Sequence, residues 1–281
     1  MIAWLRMSLP LTQEYSRLKE LAAAGVGDAG VTTLVIEMAV RARQLLGSCE
    51  RVRLTSAVRD KNYFGFQRDA HSRPINEALY IQDSDQLEEM LSGFRSNLPD
   101  MTRENLTKTT YTIASSVFAI HDVSGVGRKA SATFFEILIG NIVSRAIGIS
   151  PRKKVRIPES EAELPTDYIF DPGERSRKLH LPIKTSTREK AVQAWVHQLV
   201  LDRIFGHNVY RGVLVISSET KRNASTGLVT EICIPRQLQM FQAHVAELTR
   251  IYYLDPPEAY LGLGTTFPRV EVKTFGERQR I

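Results

Sequence analysis

Two short stretches decide the fold: PTDYIF at positions 165–170 and LHLPIKTSTREK at positions 179–190. Each contains an apolar run of the length of a β-strand. The segment between them, 173–178, contains glycine and several charged residues and predicts a turn. We therefore expect two strands that are neighbours along the chain.

An acid and a lysine stand at opposite ends of these two strands, which we place over 167–170 and 179–184. If the strands pair, Asp167 and Lys184 lie close together. An aspartate can then hold a divalent cation, while a lysine orients a water and offsets negative charge that develops on a phosphate. The pair indicates metal-assisted hydrolysis of a phosphodiester, although either residue alone means little.

A further charged group, Glu136, stands inside an apolar helix predicted over 130–147. Burying an unpaired carboxylate is costly, so Glu136 needs a cation, a hydrogen-bonding partner or solvent. Two interpretations stay open at this point. Glu136 is either a second acidic group of the site or an exposed glutamate on a partly covered helix.

The order Glu136, Asp167, Lys184 resembles the core of the PD-(D/E)xK nuclease superfamily, in which a helix bears Glu, one strand bears Asp and the next ends in x-Lys. The resemblance covers residues 124–235. It implies an α/β fold with a restriction-endonuclease-like core, a mixed central sheet flanked by helices. It also implies a Mg²⁺-dependent nuclease, in which Mn²⁺ can substitute. Asp167 and Glu136 would be the metal ligands, and Lys184 would orient the attacking water.

Two positions depart from the family pattern. Pro182 stands two residues before the lysine, where the family usually has an acid, and Thr166 separates Pro165 from Asp167. A proline side chain cannot ligate a metal, so a second carboxylate comes from elsewhere or is missing. Whether one or two metal ions bind therefore stays open.

A subset of type II restriction endonucleases, those that cut CCGG or CCNGG-like sites, also lacks that acid, and the chain resembles this subset. The subset carries a basic–acidic–basic triplet four residues after the lysine, and here that triplet is Arg188, Glu189 and Lys190. Arg and Lys can bond guanine and Glu can accept from cytosine in the major groove, so the triplet would read bases. The alternative is a capped surface helix with solvated charges.

In that subset a later helix supplies the missing carboxylate. The corresponding positions in this chain, beyond Trp195, are His197 and Gln198. We interpret both as candidate catalytic residues that hold a metal-bound water or contact a metal ligand.

Positive charge is in excess, with 37 Lys and Arg against 31 Asp and Glu and a formal charge of +6. Such an excess favours a polyanionic partner without identifying one. Arg152, Lys153 and Lys154 stand in a basic connector and are candidates for contacts with DNA phosphates. A solvated linker explains them equally well.

Composition excludes several classes of protein. With 43% hydrophobic and 24% charged residues among 281, the chain is neither disordered nor fibrous. Cys49 and Cys233 are far apart and lack ligand spacing, which excludes a disulfide scaffold and a zinc ribbon. We expect a cytoplasmic protein with no secretory signal and no membrane association.

The predicted secondary structure of the chain changes near residue 120. We expect a mainly helical N-terminal region over 1–120, for dimerisation or DNA contacts, and a nuclease core over 121–281. The remaining predicted elements are helices over 12–24, 31–46, 102–120, 188–205 and 237–254, a helix that begins at Ser84, a loop over 62–74, and strands over 212–217 and 228–234. Glu271 and Lys273 form a literal E-x-K, but too few residues follow for the nuclease core, so we interpret them as part of an edge strand.

These features predict a type II restriction endonuclease that hydrolyses double-stranded DNA at a short palindromic, G/C-containing site. A palindrome implies a homodimer, because each copy then cuts one strand. Pairing of dimers into tetramers stays open. The alternatives are a structure-specific repair nuclease of the same fold and a non-catalytic DNA-binding protein on a degenerate nuclease fold.

Overall fold

The computed structural model describes residues 2–68, 70–125, 128–158, 160–173, 176–187 and 191–277. Helices and strands alternate along these ranges. The helices are α1 (Ile2–Gly25), α2 (Ala29–Leu46), α3 (Ser84–Ser96), α4 (Arg103–Val123), α5 (Arg128–Ile147), α6 (Ala191–Phe205), α7 (Pro235–His244) and α8 (Glu258–Leu261). The strands are β1 (Glu50–Leu54), β2 (Tyr63–Gln67), β3 (Ile75–Asn76), β4 (Arg152–Arg156), β5 (Glu163–Phe170), β6 (Lys178–Leu181), β7 (Ile183–Lys184), β8 (Tyr210–Ser218), β9 (Thr220–Arg222), β10 (Val229–Glu231), β11 (Arg250–Asp255) and β12 (Val272–Thr274).

The chain divides into two compact units. The first contains Met1–Ala146 and Thr220–Glu231, and the second contains Ile147–Glu219 and Ile232–Ile281. The first unit therefore extends past the predicted boundary at residue 120 and includes nearly all of α5.

The first unit is built around α4, which packs against α2 and α3. Thr102 caps α4 by accepting the backbone N–H of Asn105, and residues such as Ile113 and Val117 are fully buried. The antiparallel strands β1, β2 and β3 complete this unit together with the β9–β10 hairpin. The hairpin is attached by an ion pair of 2.8 Å between Lys61 and Glu231.

The loop predicted over 62–74 is wrong in part, because Tyr63–Gln67 forms β2. Tyr63 and Phe64 are 1% and 2% exposed and belong to the core. Aromatic residues favour strands, and burying each such ring contributes roughly 1.5–3 kcal/mol. Burial of the rings therefore outweighs the turn-forming residues around them.

Helix α5 is an apolar and largely buried helix, nearly all of which belongs to this unit. Over Lys129–Ile147 it is long and apolar enough to cross a membrane by length and composition, with a mean hydropathy of 1.3, but 61% of that window is buried inside the structure. Its Asn141 accepts a hydrogen bond from Thr32 at 3.0 Å and donates one to the carbonyl of Val26 at 2.8 Å. Burial and polar contacts of this kind are typical of the core helix of a globular unit.

The second unit contains a mixed sheet of seven strands among its described residues, in the order β12-β11-β8-β6-β5-β4, with β7 also paired to β8. Strands β4, β5 and β6 pair antiparallel, whereas β6, β7, β11 and β12 join the sheet in parallel. Helix α6 packs on β8 and buries Trp195 in a cluster with Leu214 and Tyr253. The predicted mixed central sheet is confirmed.

Two predicted elements of the second unit are wrong. The basic connector is strand β4, paired with β5. The single helix predicted over 237–254 is instead α7 followed by β11, because the aromatic and β-branched run of β11 is buried between β8 and β12. The expected edge strand near Lys273 is confirmed as β12 at one end of the sheet.

Candidate active site

Asp167 of β5 and Lys184 of β7 form an ion pair. The Lys184 Nζ donates to Asp167 Oδ2 at 2.7 Å, and the backbone N–H of Ile183 donates to the same oxygen at 2.6 Å. Their side chains are 23% and 19% exposed, so the pair is largely but not fully removed from solvent. The predicted proximity is confirmed, although Asp167 lies inside β5 and not at its start.

Pro182 accounts for the local geometry. The antiparallel ladder between β5 and β6 ends at the pair Tyr168 and Leu181, and Pro182 has no N–H with which to continue it. The carbonyl of Pro182 instead accepts from Val215 of β8 at 3.0 Å. The N–H of the next residue, Ile183, then bonds the Asp167 carboxylate.

The arrangement leaves one oxygen of Asp167 available. Both hydrogen bonds to this carboxylate go to Oδ2, and Oδ1 accepts none from the residues that the structure describes. Mg²⁺ is typically held by one or two carboxylates together with phosphate oxygens and water. No group of three His, Cys, Asp or Glu side chains with metal-binding geometry is found in the described ranges. One carboxylate oxygen of Asp167 is therefore open to a cation whose other ligands would come from outside these side chains.

A buried polar network lies on β6 and α6, within electrostatic range of this pair. Gln198 Nε2 donates to Asp202 Oδ1 at 2.8 Å and to the carbonyl of Tyr210 at 3.2 Å. Its Oε1 is therefore the acceptor toward His180 Nδ1, which lies 3.0 Å away. His180 thus carries its proton on Nδ1 and a lone pair on Nε2.

Gly212 of β8 makes room for this network. A Cβ at position 212 would lie 2.5 Å from Gln198 Oε1, closer than such atoms approach. Gln198 is 1% exposed and both of its polar atoms are engaged, so it holds His180 in place and does not present an open ligand.

His197 occupies a different environment from Gln198. Its ring centroid is 6.3 Å from that of His180, and it is partly exposed. Burial lowers the pKa of His197 from its ordinary value, and the positive charge of Lys184 lowers it further, while Asp167 raises it. His197 is therefore the member of the predicted downstream pair that senses both charges and remains accessible.

The buried state of His180 predicts a pH-dependent stability. Burial lowers the pKa of His180 to about 4 from an ordinary 6.5, although its bond to Gln198 raises it. The unfolded chain therefore binds more protons between these values, and stability present above pH 6.5 is lost as the pH falls. We expect the free energy of unfolding to fall by about 2 kcal/mol between pH 7 and 5 from this residue alone. His121 of the first unit, whose pKa burial also lowers to about 4, adds to the trend.

Urea unfolding at several pH values measures this effect. The His180→Gln variant should show a shallower dependence on pH than wild type. His244→Gln removes an exposed histidine of the same unit and should keep the wild-type slope. An unchanged slope in His180→Gln would contradict the assignment.

The candidate phosphate contacts lie together on β4. Arg152, Lys153 and Lys154 are all exposed. Lys154 Nζ is 2.6 Å from Glu163 Oε2, whereas Arg152 approaches Asp171 only to 3.9 Å. Arg152 is therefore less engaged by a protein carboxylate than Lys154 is, and it is more available to bind an external anion.

The remaining predicted site residues are Arg188, Glu189, Lys190 and Glu136. Arg188, Glu189 and Lys190 lie outside the described residues, between Thr187 and Ala191, which are both buried. Glu136 lies on α5 in the first unit and is partly buried.

Sequence reasoning missed three buried polar residues of the second unit. His180 and Asp202 belong to the Gln198 network, and Glu219 accepts a hydrogen bond from the N–H of Thr187. In the sequence, this network is indicated only by a histidine, His180, inside the apolar run LHLPI.

This strand order, with a paired aspartate and lysine where β6 gives way to β7, defines a restriction-endonuclease-like fold. The chain is similar over 95% of its length to the crystal structure of the Type IIP restriction endonuclease Kpn2I, covering 94% of that chain with a TM-score of 0.83 and 24% identity. The PspGI restriction endonuclease–substrate DNA complex aligns with 68% of this chain and 88% of that one, with a TM-score of 0.40 and 12% identity. The sequence matches no protein-family model and no curated protein. The likeness to Kpn2I confirms the predicted fold.

Proposed function

We propose that this protein is a type II restriction endonuclease that hydrolyses double-stranded DNA at a short palindromic, G/C-containing site. The observation that carries the proposal is the 2.7 Å contact between Lys184 Nζ of β7 and Asp167 Oδ2 of β5 within a restriction-endonuclease-like sheet. The resemblance of the surrounding motifs to PD-(D/E)xK nucleases of the CCGG and CCNGG group supports it.

In this proposal Asp167 would hold Mg²⁺ or Mn²⁺, with Glu136 as a second acidic group. The bound cation supplies Lewis-acid polarisation of the scissile phosphate. One N–H of the Lys184 ammonium donates a hydrogen bond to Asp167. The other two N–H groups can donate to the attacking water and to a phosphate oxygen. Asp167 thereby also sets the direction of the lysine side chain.

The network on α6 has a supporting role in the same proposal. Gln198 fixes the orientation of the His180 imidazole. His197 contacts a water or a phosphate oxygen beside Lys184. A neutral imidazole can serve either as a donor or as an acceptor in that contact.

DNA recognition is assigned to separate groups. Arg188, Glu189 and Lys190 read bases of a half-site, while Arg152, Lys153 and Lys154 contact phosphates. A palindromic site then calls for a homodimer, with the mainly helical region over 1–120 available for dimerisation or further DNA contacts. Analytical ultracentrifugation of the free and DNA-bound protein distinguishes a dimer from a tetramer.

Digestion of a fully sequenced plasmid in Mg²⁺, followed by sequencing of the ends, tests this function. We expect discrete fragments whose ends share one palindromic sequence, and no cutting in EDTA. A smear without common ends would favour a structure-specific nuclease. Sequence-selective binding without cleavage in Mg²⁺ or Mn²⁺ would favour a non-catalytic DNA-binding protein.

A further inference from the structure

The β9–β10 hairpin is firmly attached to the first unit. The N–H of Val229 donates to the carbonyl of Thr55 at 2.8 Å, and the carbonyl of Val229 accepts from the N–H of Ala57 at 2.9 Å. The side chain of Val229 is fully buried in a cluster with Leu54 and Tyr63. These contacts fix β10, and β9 pairs with it in antiparallel register.

The turn between the two strands is also held by specific hydrogen bonds. Asn223 Oδ1 accepts from the backbone N–H groups of Ser225 and Thr226 at 2.9 and 3.1 Å. Gly227 ends the turn with a φ of +71°, and its N–H donates to the carbonyl of Asn223 at 2.9 Å. The residues at 223–226 are exposed, and none of the four has a large apolar or aromatic side chain of the kind that is typical of the centre of a protein–protein interface.

Two cations precede this turn on β9. Lys221 is exposed and Arg222 is partly exposed, and neither belongs to an ion pair in the part of the chain that the structure describes. The guanidinium of Arg222 lies beside Gly227, because a Cβ at that glycine would be 3.7 Å from its Nη2. The acid of the hairpin, Glu231, is already paired with Lys61 at 2.8 Å. The hairpin therefore carries two uncompensated positive charges on a fixed backbone.

The chain enters and leaves the hairpin at the carboxyl end of β8. The residues on either side of the hairpin belong to the second unit, where the N–H of Ile232 donates to the carbonyl of Glu219 at 2.9 Å. Ile216 of β8 pairs in register with Lys184, the proposed catalytic lysine. The hairpin thus begins along the chain soon after the strand partner of that lysine.

We propose that the β9–β10 hairpin is a DNA-binding arm in which Lys221 and Arg222 contact phosphates of the duplex. This inference rests on the proposed function, because the ligand is the same DNA. Phosphate oxygens are bound mainly by Lys, Arg and small polar side chains, which are the residue types at 221–223. An arm that is ordered before binding loses less conformational entropy when the complex forms.

Binding of a synthetic DNA duplex without metal, measured at several salt concentrations, tests this inference. The double variant Lys221→Ala with Arg222→Ala should lower the slope of log K against log salt by about two, because each neutralised phosphate contributes about 0.9. Between about 50 and 200 mM salt, wild-type affinity should then fall roughly 10-fold more than that of the variant. The loss should be equal on cognate and altered duplexes, since phosphates carry no sequence information.

Two control variants separate a local contact from a change in folding or in net charge. Lys221→Arg with Arg222→Lys keeps both charges and should keep the wild-type slope. Arg203→Ala with Arg236→Ala removes two exposed cations from α6 and α7, so it lowers the net charge by the same amount. This second control should also keep a slope close to that of wild type.

Several results would overturn the inference. An unchanged slope in the Lys221 and Arg222 alanine variant is one, and an equal fall in slope in the Arg203 and Arg236 variant is another. Dissociation of a wild-type dimer by the hairpin variant, with an unchanged slope, would instead identify an interface between copies of the chain.

The proposed function can fail separately. A wild-type protein that binds DNA with the expected salt dependence, but does not cleave it in Mg²⁺, would overturn the proposed function and leave the hairpin assignment in place. A wild-type protein that binds no duplex would overturn both.

Discussion

Lys184→Ala should lower the rate of DNA cleavage by roughly 1,000-fold, which is the upper range for loss of one preorganised donor at a developing charge. DNA binding should survive, because Lys184 is a single, largely buried cation and the proposed phosphate contacts lie on β4. Single-turnover cleavage of the cognate site, with binding measured without metal, checks both parts. Unchanged cleavage by the purified variant would end the assignment of Lys184.

A matched control exists in the same sheet. Lys178 of β6 also pairs with an aspartate, at 2.7 Å from Asp171 Oδ2, and it is also partly buried. Lys178→Ala therefore removes a comparable ion pair that contains neither Asp167 nor Lys184, and at saturating DNA it should cleave at nearly the wild-type rate. Equal loss of cleavage in both variants, with equal loss of stability, would point to folding as the cause and not to chemistry.

Arg188→Ala should weaken cognate binding roughly 10- to 100-fold and relax discrimination at one base position, because an arginine that bonds a guanine is worth about 1–3 kcal/mol. Arg152→Ala should behave differently. It should weaken binding about equally on every sequence and reduce the salt dependence of binding by about one unit of slope. Competition binding with cognate and altered duplexes at several salt concentrations separates the two patterns.

The ion pairs on β4 predict that its cations contribute unequally to DNA affinity. Lys154 is held by Glu163 at 2.6 Å, so Lys154→Ala should cost less affinity than Arg152→Ala. If Arg188→Ala and Arg152→Ala weaken all sequences to the same extent, Arg188 is not a reader of bases.

The sequence predicts the Asp167–Lys184 contact because it depends on a short connection between two neighbouring strands. Helices with strong start and stop signals are predicted well for the same reason: α2 and α4 differ from the expected bounds by a few residues. Their boundaries depend on local capping, which a sequence displays directly.

The errors arise where distant partners decide the structure. Strand β4 has a sequence of basic residues, and only its pairing with β5 makes it a strand. Residues 250–255 are a strand because β8 and β12 lie on either side of them. The contacts of Glu219 cannot be read from the sequence for the same reason, since its partners Thr187 and Tyr253 are 32 and 34 residues away along the chain.

The basic character of β4 also constrains how copies of this chain can associate. β4 is the outermost strand at its end of the sheet, and its sequence RKKVR contains four cations in five positions. If two β4 strands paired edge to edge in one continuous sheet, the four cations of one copy would lie next to the four of the other. Like charges opposite each other in paired strands are destabilising. A twofold assembly should therefore form through another surface and leave β4 accessible to a polyanion.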